Sequence, residues 1–240
     1  TLNSAISSIE VDQVDVPEPT TINIPNYPHP VEVGVIHDFQ YPIVTKEYAQ
    51  KMMKNQDDIT QNKTDQITNI KNDQNELSTN NNNPLLQKIQ VQDEEFFAKH
   101  KSHHHSYLTI ATTRIETMLG DVAVAIHSDD ERYKFLHNGE YMIQHPFIKN
   151  YFLPIIVDNQ LVDPSFGTGV VKLTPTHDPN DFACGLRNKL PLDRILLAND
   201  GTFSHPDVPE YYGLHRYDVR NSIIQRLSTI GLYKGKRANP

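Results

Sequence analysis

Lys172, Asp178 and Asp181 are three charged side chains close together in an otherwise apolar and hydroxylic stretch, Gly-Thr-Gly-Val-Val-Lys-Leu-Thr-Pro-Thr-His-Asp-Pro-Asn-Asp-Phe over residues 167–182. Two carboxylates and an ammonium can bind a zwitterionic ligand, orient water, or simply pair with one another. Val170, Val171 and Leu173 predict a short buried strand after the Gly167/Gly169 turn. His177-Asp178-Pro179-Asn180-Asp181 supplies a helix cap, with Pro179 near the first helical position. Strand, loop and helix start then converge, Lys172 arriving from the strand. Asp178 and Asp181 lie near a helix N-terminus, where ionised carboxylates are favoured and can face a cationic group.

An aspartate before a helix is more often a cap than a ligand, and Gly-Thr-Gly is more often only a tight turn. A second segment shifts that balance. Thr109-Ile-Ala-Thr-Thr-Arg-Ile-Glu-Thr-Met-Leu-Gly-Asp121 reads as a threonine-dense strand, a polar turn and an apolar run. Hydroxyl and backbone groups on such a turn suit a polar substrate.

Together the two blocks resemble the editing domain of the valyl-tRNA synthetases, the hydrolytic insertion that large class I synthetases carry in their catalytic domain. The likeness extends to Leu2–Val11 as the opening segment, Pro30–Val35 as the first strand region and Gly231–Gly235 as the exit. It covers nearly everything outside residues 46–106. Isoleucyl enzymes usually carry a histidine near Lys172 and a glycine near Asp178, so Lys172-Leu-Thr-Pro175 and His177-Asp-Pro179 favour the valyl group.

The resemblance implies a mixed α/β fold, a β-barrel-like editing core with peripheral helices, and residues 1–240 as a single editing domain. It also implies hydrolysis of mischarged threonyl-tRNA for valine. An apolar valine pocket rejects isosteric threonine only about a hundredfold, a case that serves as a standard example of the need for a second, editing site. Asp181 is the expected holder of the substrate α-ammonium, because that aspartate recurs across these domains. Lys172, Thr174 and Asp178 are expected to read the threonine hydroxyl and orient the attacking water. Arg114 and Phe166 are expected on the terminal adenosine, by charge and by stacking. Thr112, Thr113 and Thr117 shape the pocket, and His177 belongs to the same substrate-binding group. Ile115 stands where many relatives have proline, and Thr176 where a small residue is common, which bears on pocket volume. No cofactor is expected for editing itself; ATP and magnesium belong to a full-length synthetase. The expected partners are the 3′ end of the valine tRNA and the remainder of the synthetase in cis, with a monomeric state and a cytoplasmic location.

No serine, cysteine or histidine triad is evident, so direct attack by water is expected, positioned by the aspartates and a terminal ribose hydroxyl. Two other classes stay open: a tRNA-end binding module without turnover, and a histidine-dependent metallohydrolase. An isoleucyl-type editing domain is the nearest alternative in family. Aminoacylation by this chain is excluded by the lack of H-I-G-H and K-M-S-K-S sequences.

The chain has 240 residues, a net charge of −8 and one cysteine. That length buries a full core as one domain, or as one domain plus a long insertion. No signal peptide or membrane span is legible. The acidic balance argues against a broad phosphate-binding surface, although a domain that meets only a tRNA terminus needs few phosphate contacts. Cys184 alone rules out an internal disulfide framework and is expected to pack in a core. Residues 46–106 form a polar, Asn/Gln-rich insertion expected to be largely helical. Lys46 to Met53 could start a helix, and Ile59, Ile67, Ile70 and Leu77 recur near helical repeats. His100, His103, His104 and His105 tempt a metal reading, but adjacent histidines on an extended chain alternate in direction and no further ligand completes a shell. His127, His137, His145 and His215 read as structural or solvated singles. Expected strands are Val31–Ile36, Leu108–Thr112, Val122–Ile126, Ile155–Val157, Val170–Leu173 and Ile195–Leu197. Asp181–Asn188 and Val219–Ile230 are expected helices, with a short one over Asp129–Tyr133. Strands far apart in sequence imply a mixed sheet closing toward a barrel.

Overall fold

The structure is a computed structural model that describes residues 16, 18–25, 27–54 and 84–239. The opening segment Leu2–Val11 and the repeat of Ile59, Ile67, Ile70 and Leu77 lie outside the described residues. A small hairpin pairs β1 (Thr20–Ile22) with β2 (Val31–Val33). The main sheet is built from β3 (Val35–Thr45), β4 (Ser106–Thr112), β5 (Ala123–Ile126), β6 (Tyr141–Gln144), β7 (Phe152–Val157), β8 (Val170–Leu173) and β9 (Tyr233–Ala238). Its order is β4-β3-β6-β7-β5-β8, with β9 also paired to β3. All ladders are antiparallel except β5–β7, and β8 comes back against β4, so the sheet is nearly closed and barrel-like. The fold is mixed α/β, as expected.

Alternation builds this sheet. Phe39, Tyr41 and Ile43 on β3 face inward with Leu108 and Ile110 on β4, and all are almost fully buried. Val124 and Ile126 on β5, Ile143 and Leu153 join them, and helix α4 (Arg216–Thr229) closes the core with Val219, Ile223 and Leu227. Each such side chain contributes about 1.5–3 kcal/mol when fully buried. Helix α3 (Pro179–Asn188) begins where expected, Asp178 accepting from the backbone N–H groups of Asn180 and Asp181, with Pro179 in the first turn.

Several expected elements differ in detail. Val31–Ile36 is not one strand: Gly34, at φ +77°, turns the chain, and a Cβ there would lie 2.8 Å from the Glu18 carbonyl oxygen. β3 then runs on to Thr45 through Pro42, a residue that normally argues against a strand interior. Pro42 is tolerated because the far side of β3 is passing from β9, which pairs up to Phe39, to β6, which begins at Ile43. Ile195–Leu197 forms only a single bridge, Leu197 to Phe203. The Leu196 N–H goes to the His177 ring, and the chain reverses at Gly201, so no ladder extends. The short helix expected over Asp129–Tyr133 is a 3-10 helix over Glu131–Leu136, capped by Asp130.

Residues 46–105 leave at the end of β3 and return at the start of β4, where Ile43 pairs with Ser106. Their described parts are helices α1 (Lys46–Lys54) and α2 (Pro84–His100), followed by a 3-10 turn (Lys101–His103) that leads into β4. Helix α2 is fastened to α4: both Asp93 oxygens accept from the Arg226 guanidinium at 2.5 and 2.8 Å, and Arg226 lies 4.1 Å from the Phe147 ring centroid. The four histidines turn to separate partners. His100 Nδ1 meets the Phe96 carbonyl at 2.6 Å, His103 stacks on Tyr48, His104 bonds Gln144 and His105 packs on Tyr141. Among the described residues, no three His, Cys, Asp or Glu side chains are placed to hold a metal ion, and no helix is long and apolar enough to cross a membrane.

Candidate functional site

A cavity of about 390 Å³ opens between the end of β4, strand β8, the loop 163–169 and the start of α3. Lys172, Asp178, Asp181, Thr174, Thr112, Thr113, Thr117, Arg114, Phe166 and His177 all line it. Two segments more than fifty residues apart are joined here because β8 pairs with β5 on one side and lies against β4 on the other, bringing Lys172 beside the 3-10 helix Ile115–Gly120. That helix is pinned from behind. Glu116 accepts a two-pronged hydrogen bond from Arg220 at 2.9 and 3.0 Å. Burial would raise the Glu116 carboxyl, but Arg220 and Arg216 hold it down at about 2.

The cavity floor is a buried polar cluster. Lys172, 8% exposed, donates to Thr117 Oγ1 at 2.8 Å, Thr174 Oγ1 at 2.6 Å and Asp121 Oδ1 at 2.9 Å. All three ammonium N–H groups are thereby engaged. Asp121 is fully buried and also accepts from Thr174 Oγ1 at 2.5 Å and from the Tyr41 hydroxyl at 2.8 Å. Burial pushes its carboxyl up, opposed by Lys172 and the two hydroxyls. With three donors aimed at two oxygens, the arrangement is that of a carboxylate.

Asp181 lies beside this cluster and is 8% exposed. Its Oδ2 accepts from the Thr174 backbone N–H at 2.8 Å. Burial pushes the carboxyl up to about 7, outweighing the pull of Lys172 and the Thr174 N–H. Asp178 is both cap and wall: its Oδ1 takes the two α3 N–H groups while the residue faces the cavity. His177 Nε2 accepts from the Leu196 N–H at 3.0 Å, which assigns the proton to Nδ1. Burial, then Arg114 and Lys172, push this imidazole down to about 3, so it is neutral; Nδ1 has no partner among the described residues.

The mouth carries different chemistry. Phe166 is 60% exposed on its loop, and Arg114 donates to the His177 carbonyl at 2.6 Å from across the opening. The loop is held by Arg132, which donates to the Pro164 carbonyl, and by the Tyr133 hydroxyl on the Thr168 carbonyl at 2.8 Å. Gly169, at φ +70°, is required because a Cβ would collide with Arg132 and Asp130. Thr176 turns away, its hydroxyl donating to the Arg194 carbonyl at 2.7 Å. Cys184 stands outside the cavity, buried, with its thiol donating to Asp158 at 3.1 Å; burial and then Asp158 push it up to about 12.

Asp121 and Tyr41 had no assigned role in the sequence reading. Their signal was nonetheless present. Asp121 sits alone among Met118, Leu119, Val122 and Ala123, and Lys172 alone among Val170, Val171 and Leu173. A lone charge in each of two buried runs must find a counter-charge, and the two find each other.

No family model matches the chain. It is 36% identical over 238 residues to the mitochondrial valine-tRNA ligase of Saccharomyces cerevisiae, covering 99% of this chain and 16% of that protein. Against the valine-tRNA ligase of Caenorhabditis elegans it is 36% identical over 239 residues, covering all of this chain and 17% of that protein. The valine-tRNA ligase of Carboxydothermus hydrogenoformans matches 126 residues at 48% identity, covering 52% of this chain and 14% of that protein. The crystal structure of GlLeuRS-CP1 overlaps 81% of this chain and 86% of that one at 12% identity and a TM-score of 0.32, too loosely to argue from. The chain spans about one sixth of the length of the valine-tRNA ligases it matches end to end. A homologue of one segment of those enzymes along its whole length, the chain belongs to the valine-tRNA ligase family.

Proposed function

We propose that the chain is the editing domain of a valine-tRNA ligase and that its cavity hydrolyses the ester linking threonine to the valine tRNA. The observation that carries this reading is the pairing, in one cavity, of a buried carboxylate, Asp181, with a hydroxyl-bearing wall made by Thr117 and Thr174 over Lys172. A free α-ammonium is the group that Asp181 is suited to hold, since a cation restores the ionised form that burial disfavours. The hydroxyl wall suits a hydroxylated side chain and rejects valine, whose methyl would leave buried polar atoms unpaired at about 1–3 kcal/mol each. Phe166 and Arg114 at the mouth fit a terminal adenosine, the ring by stacking and the guanidinium by charge. A volume of about 390 Å³ falls in the range of small-molecule sites.

Water is the attacking group in this reading. Cys184 is outside the cavity with its thiol proton tied to Asp158, and the neutral His177 has its one acceptor nitrogen taken by Leu196. Asp178 and Asp181 orient the water and the ester, a terminal ribose hydroxyl supplies the remaining contact, and fixed geometry provides much of the rate. The remainder of the ligase supplies most of the grip on the tRNA, consistent with a net charge of −8 here. Replacing Asp181 with alanine is expected to abolish deacylation of threonyl-tRNA while the fold is retained; a normally folded Asp181→Ala protein with full activity would remove the assignment.

A further inference from the structure

The hydrogen positions of the cavity floor follow from its partners. An ionised carboxylate only accepts, so Thr174 Oγ1, 2.5 Å from Asp121 Oδ1, commits its proton to Asp121. Thr117 Oγ1 commits its own to the Arg114 carbonyl at 2.9 Å. Each hydroxyl also accepts one N–H of Lys172, whose third N–H goes to Asp121. A hydroxyl has one donor and two acceptor sites, so each threonine keeps a single site toward a ligand, and that site accepts. Lys172, although cationic and at the wall, has no N–H left to give.

We propose that Asp121 is a positioning residue that helps fix the polarity of the wall made by Thr117 and Thr174, so that this wall favours an acyl side chain able to donate a hydrogen bond and offers no donor to one that can only accept. Without touching the substrate, Asp121 turns the ambivalent Thr174 hydroxyl into an acceptor, as the Arg114 carbonyl does for Thr117. The ligand class is an aminoacyl ester with a side-chain O–H; that identity rests on the editing reading above, while the wall's polarity rests on the hydrogen-bond chain alone. Asp121 is out of reach of the ligand, being fully buried behind both threonines and Tyr41.

The test uses the full-length ligase carrying this segment and its valine tRNA esterified with threonine, O-methylthreonine, isoleucine or valine. O-methylthreonine and isoleucine have the same size and shape, and differ by an ether oxygen that accepts but cannot donate. The expected result is hydrolysis of the threonyl ester, with the O-methylthreonyl ester no faster than the isoleucyl ester. A wall that donates would instead hydrolyse the ether distinctly faster than isoleucyl, and that result overturns the proposal without any variant. In Asp121→Ala no acceptor remains for the Thr174 hydroxyl proton, which is then free to turn toward the cavity. The threonyl-to-valyl preference is then expected to fall by about tenfold or more, with the O-methylthreonyl-to-isoleucyl ratio rising above one. Asp158→Asn, which disturbs a carboxylate network outside the cavity, should leave both ratios unchanged; a purely structural role for Asp121 would make the two variants alike, contradicting the proposal. Absence of threonyl hydrolysis in the unsubstituted ligase would instead remove the editing reading and the substrate identity built on it.

Discussion

Asp181 is the residue on which the chemistry turns, and its burial makes a prediction about pH. Its carboxyl sits at about 7 in the folded chain against an ordinary value of 3.8, chiefly because burial penalises the charge. Between about pH 4 and pH 7 the folded state retains a proton that the unfolded state has lost, so stability falls as pH rises through that window. Asp181→Asn keeps an acceptor for the Thr174 N–H and removes the penalty. It is expected to be more stable than the parent above pH 7 by on the order of a few kcal/mol, and equal to it below pH 4, as read by urea unfolding across pH. In the same reading kcat/KM for the threonyl ester rises through about pH 7 as Asp181 ionises. His177, neutral above about pH 3, contributes no inflection there, so His177→Asn should keep the profile. An inflection lost in His177→Asn would transfer the titration to the imidazole. Nine residues from two sequence blocks, and Phe166 just before one of them, line one cavity, because Lys172, Asp178 and Asp181 bracket a strand-to-helix junction that local signals define well. Asp121 was harder to see, since its partners Lys172 and Tyr41 are fifty-one and eighty residues away and only the sheet brings them together.

The loop 163–169 and the strands around it show how elements set the cavity. Gly169 has φ +70° and no room for a Cβ, whereas Gly139 has φ +73° with open space around it. Gly169→Ala should therefore push aside the Arg132 and Asp130 side-chain ends that hold the loop carrying Phe166, raising KM for the tRNA ester and destabilising by roughly 1–3 kcal/mol. Gly139→Ala should cost about 1 kcal/mol from φ alone and leave KM unchanged. Thermal unfolding with steady-state deacylation separates the two; equal KM values would mean that the loop does not position the substrate. Of these elements, β8 and the start of α3 were legible because apolar runs and a cap-proline pair mark them. β6 and β9 were not. Tyr141–Gln144 is short and half-buried, and Tyr233–Ala238 is a basic edge strand interrupted by Gly235, whose lysines and arginine read as surface until β3 is seen to pair with it.

Across the whole molecule, a nearly closed sheet is clasped by α4, and α4 in turn holds α2 of the polar segment through Asp93 and Arg226. The composition of residues 46–106 marked a polar segment, but not this attachment, because a single aspartate in a polar helix carries no sign of its partner 133 residues away. Asp93→Ala removes the two-pronged partner of the buried Arg226 and leaves it Glu210, at 3.3 Å, as its only carboxylate; it is expected to destabilise the chain by about 1–3 kcal/mol in urea, while the preference for threonyl over valyl esters stays as it was. A changed preference would tie α2 to the site, against this separation. The most direct test of the central claim is deacylation of threonyl-tRNA and valyl-tRNA on the valine acceptor, with and without chelator, by the ligase that carries this segment and by its Asp181→Ala variant. Hydrolysis of the threonyl ester alone, unaffected by chelator and lost in the variant, is the predicted result. Equal hydrolysis of both esters, or threonyl hydrolysis that survives the loss of Asp181, would contradict it.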